Sequence, residues 1–153
     1  MRGRQSATGP ARERMQTFLP YREFHQTARV LDARRLGKQR VETLQILNAL
    51  HRPDYGWQNH PAVRMWRGHE QMLAEYGLSI CVEWKERGYK DTCYEKIGDM
   101  LVQFPSESLK EPGWLHDEAV HISHRSNLVR KDPGHYSKFW PEINGDLPYV
   151  WPV

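Results

Sequence analysis

Between Leu31 and Leu47 the apolar positions Leu31, Val41, Leu44 and Leu47 recur at helical spacing, while Arg35, Lys38, Gln39 and Glu42 fall together on another stripe. This pattern predicts a first helix from about Gln26 to Leu50, with Gly37 a soft point and Arg52-Pro53-Asp54-Tyr55-Gly56 as the loop that ends it. A second helix is expected with Asn59 as N-cap and Pro61 just inside, carrying Val63, Trp66, Leu73 and Tyr76 at core spacing. Gly77 is expected to end or bend it. The run Leu78 to Arg87 continues in helical style and stops at Gly88. A shorter helix is predicted over Tyr94 to Val102 and another from about His116 to Val129. From Pro133 onward the chain is aromatic and proline-rich and reads as an extended tail wrapped over the helices. No run alternates like a strand and no internal repeat is visible. The fold class is therefore all-α, a compact single-domain orthogonal helical bundle with an extended C-terminal tail.

Composition changes this picture at one end. Residues 1–14 hold four Arg against one Glu and no large apolar side chain but the first Met, so they are expected to form a disordered extension ahead of a domain over 15–153. They also carry the whole formal charge of +3, which leaves the body formally neutral. Any affinity for nucleic acid must then come from local clusters of Lys and Arg. Cys81 and Cys93 lie twelve apart with no further cysteine, so neither a disulfide framework nor a zinc site is indicated, and reduced thiols are the expectation. No apolar run approaches a membrane span and no secretory-like stretch opens the chain, so a cytoplasmic, membrane-free protein is expected. A glycine-rich phosphate loop, a Gly-x-Ser-x-Gly elbow and a framed catalytic Cys are all missing from the sequence.

Three constellations carry candidate chemistry. Leu31 to Glu42 sets one carboxylate, Glu42, among Arg34, Arg35, Lys38 and Arg40: either a solvated charged face with a Lys38–Glu42 pair, or an acid beside an amine in a field that meets phosphates. Gly56 to Trp66 brings His60 to the first turn of a helix, where it either caps the helix or contacts a phosphate. Glu118 to Lys131 places His121, His124 and Arg125 on one face, suited to phosphate or base contact; two His at that spacing without a paired acid make a poor metal site, and no metal is expected. In the tail, Tyr136, Phe139, Trp140, Tyr149 and Trp151 are interleaved with Lys131 and Lys138, and each ring either plugs the core or stacks on a base.

Ordered along the chain, RRLGKQRVETLQIL, GWQNHPAVRMW, EWKERGYKDT, HDEAVHISHRSNL and PGHYSKFWP resemble blocks of the pyrimidine-dimer DNA glycosylase/AP lyase family, of the phage endonuclease V kind. The resemblance covers nearly the whole length after residue 14. It implies an all-α domain, double-stranded damaged DNA as partner, a monomer, and no cofactor. It also implies a mechanism in which a primary amine attacks C1′ of the damaged nucleotide and a Schiff base permits β-elimination. Glu42 then falls on the family's catalytic glutamate, stabilising the sugar cation and assisting proton transfers. Arg34, Arg35, Arg40, His124, Arg125, Lys131, Lys138 and Trp140 become the DNA contacts, and His60 fills or reads the opened space. The family's small second residue is replaced here by Gln16, which is too large for efficient Met removal. The amine is accordingly that of Met15 or Gln16 in a chain started at Met15, or that of Lys38. A non-catalytic DNA-binding scaffold of the same fold and a helical interaction module are the alternatives. Abasic-site trapping separates the first reading from both.

Overall fold

The computed structural model describes residues 15–153, so the expectation for residues 1–14 lies outside the described residues. The helices are α1 (Phe24–Val30), α2 (Ala33–His51), α3 (Pro61–Arg64), α4 (Glu70–Glu86), α5 (Tyr94–Leu101), α6 (Glu118–Lys131) and α7 (Pro133–Tyr136), with 3₁₀ turns at Ser106–Ser108 and Gly113–His116. No strand occurs among the described residues.

The predicted first helix is two helices, and the break falls at Leu31–Asp32 and not at Gly37. Asp32 is the cause. Its carboxylate accepts the Arg35 N–H as N-cap of α2 and also accepts a hydrogen bond from the Tyr136 hydroxyl, while its own N–H donates to that hydroxyl oxygen at 2.9 Å. These three bonds go with the extended backbone seen at residue 32, which no helix interior offers. The second predicted helix is also divided. His60, not Asn59, caps α3, and Gly68, with φ +90°, turns the chain into α4. The turn Gly113–His116 delays α6 to Glu118, and the first residues of the tail wind into α7.

Gly77 does not end α4, which runs on through it to Glu86. A Cβ there would stand 2.6 Å from Thr43 Cγ2 of α2 and 3.0 Å from Ile97 Cδ1 of α5, so the missing side chain lets three helices meet. Gly37 does the same for the Trp84 ring, 2.9 Å from where its Cβ would lie. Gly77→Ala is expected to cost about 1–3 kcal/mol through overpacking, read as a lower denaturation midpoint at unchanged m-value. A midpoint equal to the parent's would show that the α2–α4 contact yields.

Leu36, Ile46 and Leu47 of α2 join Leu73, Tyr76 and Ile80 of α4 in one buried cluster with Trp66, Ile97 and Leu128. Val41, expected to face that core, is 46% exposed on the far side of α2. Residues 15–20 belong to no helix, yet all six are buried. A buried irregular strand must find partners for every amide. Its supply of partners defines the site.

Candidate active site

Residues 15–20 are held by side chains reaching in from three directions. Gln39 of α2 gives most. Its Nε2 donates to Gln16 O at 2.9 Å and to Glu42 Oε1 at 3.1 Å, and its Oε1 accepts the Phe18 N–H at 2.9 Å. The Tyr76 hydroxyl lies 2.7 Å from Phe18 O and 2.6 Å from Gln39 Oε1, its single proton serving both. Trp66 Nε1 donates to Thr17 Oγ1 at 3.0 Å. From α6, His124 Nδ1 accepts the Leu19 N–H at 2.8 Å, His121 Nδ1 sits 2.7 Å from Leu19 O, and Arg125 Nε donates to Pro20 O at 2.8 Å.

This clamp aims one main-chain nitrogen at one acid. Gln16 N–H points at Glu42 Oε1 across 3.4 Å. The Gln16 side chain is buried, its Oε1 accepting the Thr17 N–H at 2.9 Å while its Nε2 has no partner among the described residues. Burial pushes the Glu42 carboxyl up to about 7, against the opposing pull of the Gln16 N–H, the Lys38 charge and the Gln39 amide. Burial thus brings the Glu42 carboxyl towards neutrality, the range in which a side chain can both give and accept a proton.

Glu42 opens into a pocket of about 140 Å³ whose rim carries Arg34, Arg35 and Lys38 from α2 and Lys131 from the end of α6. Phe18, Gln39 and Tyr149 complete its lining. Four predicted cations and the predicted acid are thus brought together. Asp32 neutralises part of that field, pairing with Arg35 at 3.2 Å.

Six other predicted contacts lie elsewhere. Arg40 is turned away, its guanidinium 2.6 Å from Asp91 and 4.4 Å over the Trp84 ring. Arg125 clamps Pro20, pairs with Glu118 at 3.1 Å and covers the Tyr21 ring. His124 is wholly interior, its edge contacts reaching Phe18 and Tyr149, and burial drives it down to about 3, so it is a neutral acceptor and no phosphate ligand. Trp140 is buried, parallel to Tyr136 and donating to Tyr21 Oη at 2.8 Å, so it does not meet bases. His60 is likewise buried; its Nδ1 accepts the Ala62 N–H at 2.9 Å and its ring sits between Trp57 and Trp151, which is the capping alternative. Lys138 is exposed on the tail beside Phe139, outside the pocket wall.

Sequence reasoning also passed over residues that matter here. Gln39 stands on the predicted stripe, but nothing in its neighbours marks it as the hub. His121, Trp66 and Tyr76 read as face or core residues, and no local signal brings Tyr149 across more than a hundred residues to Glu42.

Among the described residues no helix is long and apolar enough to cross a membrane. Comparison with curated proteins and with solved structures gives no match. The family model for pyrimidine dimer DNA glycosylases matches residues 15–96, a span that holds the clamped segment, Gln39 and Glu42. With more than half of its length so matched, the chain belongs to the pyrimidine dimer DNA glycosylase family of DNA-repair enzymes.

Proposed function

We propose that this protein excises damaged bases, pyrimidine dimers or related lesions, from duplex DNA and then nicks the strand through a Schiff base formed by a primary amine held against Glu42. The observation that carries the reading is the 3.4 Å approach of the residue-16 nitrogen to the Glu42 carboxylate, inside a pocket rimmed by cations. As a peptide nitrogen it is no nucleophile. Freed as the α-amine of a chain beginning at Gln16, it would occupy the same place. An amine on Met15 would lie one residue away, and Lys38 supplies the other primary amine in the pocket wall.

In this scheme the amine lone pair forms a bond to C1′ as the glycosidic bond breaks, and the base leaves with the bonding pair. Ring opening takes O4′ from C1′, with a proton delivered by neutral Glu42, and yields the imine. The ionised Glu42 then accepts a C2′ proton, and the 3′ phosphate departs by β-elimination. Water hydrolyses the imine and releases the amine. A carboxyl near 7 can both give and take a proton at cellular pH, and its negative form stabilises the sugar cation in a partly buried site. Arg34, Arg35, Lys38 and Lys131 hold the backbone phosphates, so affinity should fall steeply as salt rises. The scheme needs neither metal nor organic cofactor.

A non-catalytic DNA-binding role is the second reading, favoured by the peptide bond that joins Met15 to Gln16 in the full chain. One experiment decides between them. Proteins starting at Met1, Met15 and Gln16 are incubated with an abasic-site duplex and borohydride, and peptide mass mapping locates the adduct. An adduct on residue 15 or 16 in the shortened chains, absent from the full chain, is expected. Adducts on Lys38 in all three would assign the lysine amine. Binding without any adduct in all three sinks the enzyme reading.

A further inference from the structure

One wall of the Glu42 pocket comes from beyond the segment matched to the family, from Tyr149 in the tail. Its position is set by α6. Leu147 N–H donates to Ser126 Oγ at 2.9 Å and Val150 N–H to Ser123 Oγ at 3.1 Å, while Asn127 Nδ2 donates to Leu147 O at 3.1 Å. These bonds flank residue 149 on both sides. The ring is wedged edge-on against His124 at 5.5 Å, with Trp151 at 5.6 Å behind it.

A phenol so firmly placed should have its oxygen in water or in a hydrogen bond. The Tyr149 hydroxyl has neither: it is buried and lacks a hydrogen-bond partner among the described residues. An unpaired buried hydroxyl is costly, and phenylalanine would fill the same space without that cost. Burial holds the phenol in its protonated, donating form, since it pushes the pKa well above the ordinary tyrosine value. Beside this donor the pocket holds the single carboxyl of Glu42, itself raised by burial, and an excess of positive charge from Arg34, Arg35, Lys38 and Lys131. Cations gathered around an unused O–H donor match an oxyanion, and on a DNA substrate the oxyanion is a phosphodiester.

We infer that Tyr149 is a substrate-binding residue whose hydroxyl donates to a non-bridging phosphate oxygen of the damaged strand beside the nucleotide under attack. The inference rests on the DNA-repair reading of the same pocket. The tail then acts as a structural wall and also completes the phosphate site from its far side.

Tyr149→Phe removes a single oxygen, and three measurements on the full chain test it. Affinity for a duplex carrying a tetrahydrofuran abasic analogue, which binds without being cleaved, should fall about tenfold. The slope of log affinity against log salt should stay unchanged, because a neutral donor displaces no counterion, whereas Lys131→Ala should flatten it by about one. The melting temperature of the free variant should rise by roughly 2–4 °C as the stranded hydroxyl disappears. Unchanged affinity overturns the inference, and so does a lowered melting temperature, which would reveal a partner for the hydroxyl inside the fold. A parent protein that fails to bind the duplex overturns the repair reading along with it. A parent that binds the duplex beside an equally tight Tyr149→Phe removes the tyrosine alone.

Discussion

Under the proposed mechanism Glu42→Gln should lose strand scission by about 10²–10⁴-fold while binding to abasic duplex stays near that of the parent, because the amide can neither give nor accept the proton. The same variant is expected to be the more stable protein. The carboxyl is raised to about 7 in the fold from 4.5, so between those values the folded chain binds a proton that the unfolded chain has released. Stability of the parent therefore declines as pH climbs through this window and levels off above it. The amide carries no such penalty, and its carbonyl can still accept from Gln16 and Gln39. Relative to the parent, Glu42→Gln should gain about 1–3 kcal/mol at pH 8, discounted for the partly open pocket, and nearly nothing at pH 4. Paired denaturation curves at the two pH values read the difference. An equal gap at both would mean that the carboxyl is not buried enough to hold its proton, and the acid–base role would lose its basis. On the proposed mechanism, a destabilising acid kept at this position trades stability for chemistry.

Replacing Gln39 by Leu should be the most damaging single change in the site. The substitution strands the Phe18 N–H and the Gln16 carbonyl in a dry interior, and it takes a partner from Tyr76 and a donor from Glu42. Each unsatisfied buried group costs about 1–3 kcal/mol, so a loss of roughly 3–5 kcal/mol is expected. For a chain of this size that corresponds to a melting temperature lower by about 10 °C. Trapping by the shortened chain should fall with it even at temperatures where the variant is folded, since the residue-16 nitrogen no longer has a fixed direction. A Gln39→Leu protein that melts like the parent would show that His121, His124 and Arg125 hold residues 15–20 without help. The two substitutions then act oppositely on the fold and alike on the reaction. A merely structural account of α2 predicts no such divergence.

Helix type and helix order were legible before any coordinates, because period and punctuation are local properties. Pro61 and Gly88, for example, do mark a start and an end. The charged stripe of α2 was equally plain, and it does gather Arg34, Arg35, Lys38 and Glu42 at one pocket. Local reading failed where a distant group competes for a local one. Asp32 breaks the first helix because Tyr136, 104 residues away, bonds it in the extended form. Gly77 stays inside α4 because Thr43 and Ile97 occupy the space a side chain would need.

Charge told less than it promised. Arg40, Arg125 and His124 have the composition of DNA contacts, yet Asp91, Pro20 and Leu19 claim them, and only the packed chain reveals which polar group is already taken. Gln39 and Tyr149 show the converse. Neither is unusual along the chain, and each becomes consequential through burial beside Glu42, where an amide orders a strand and a phenol goes unpaired. By itself the amino-acid order determined an all-helical chain with a cationic stripe around one carboxylate, since periodicity and residue type act over a few residues. Which nitrogen faces that carboxylate, how far its acidity is shifted, and which tail ring closes the pocket were decided by tertiary structure alone, because distance, desolvation and hydrogen-bond competition exist only once remote segments share the same dry interior.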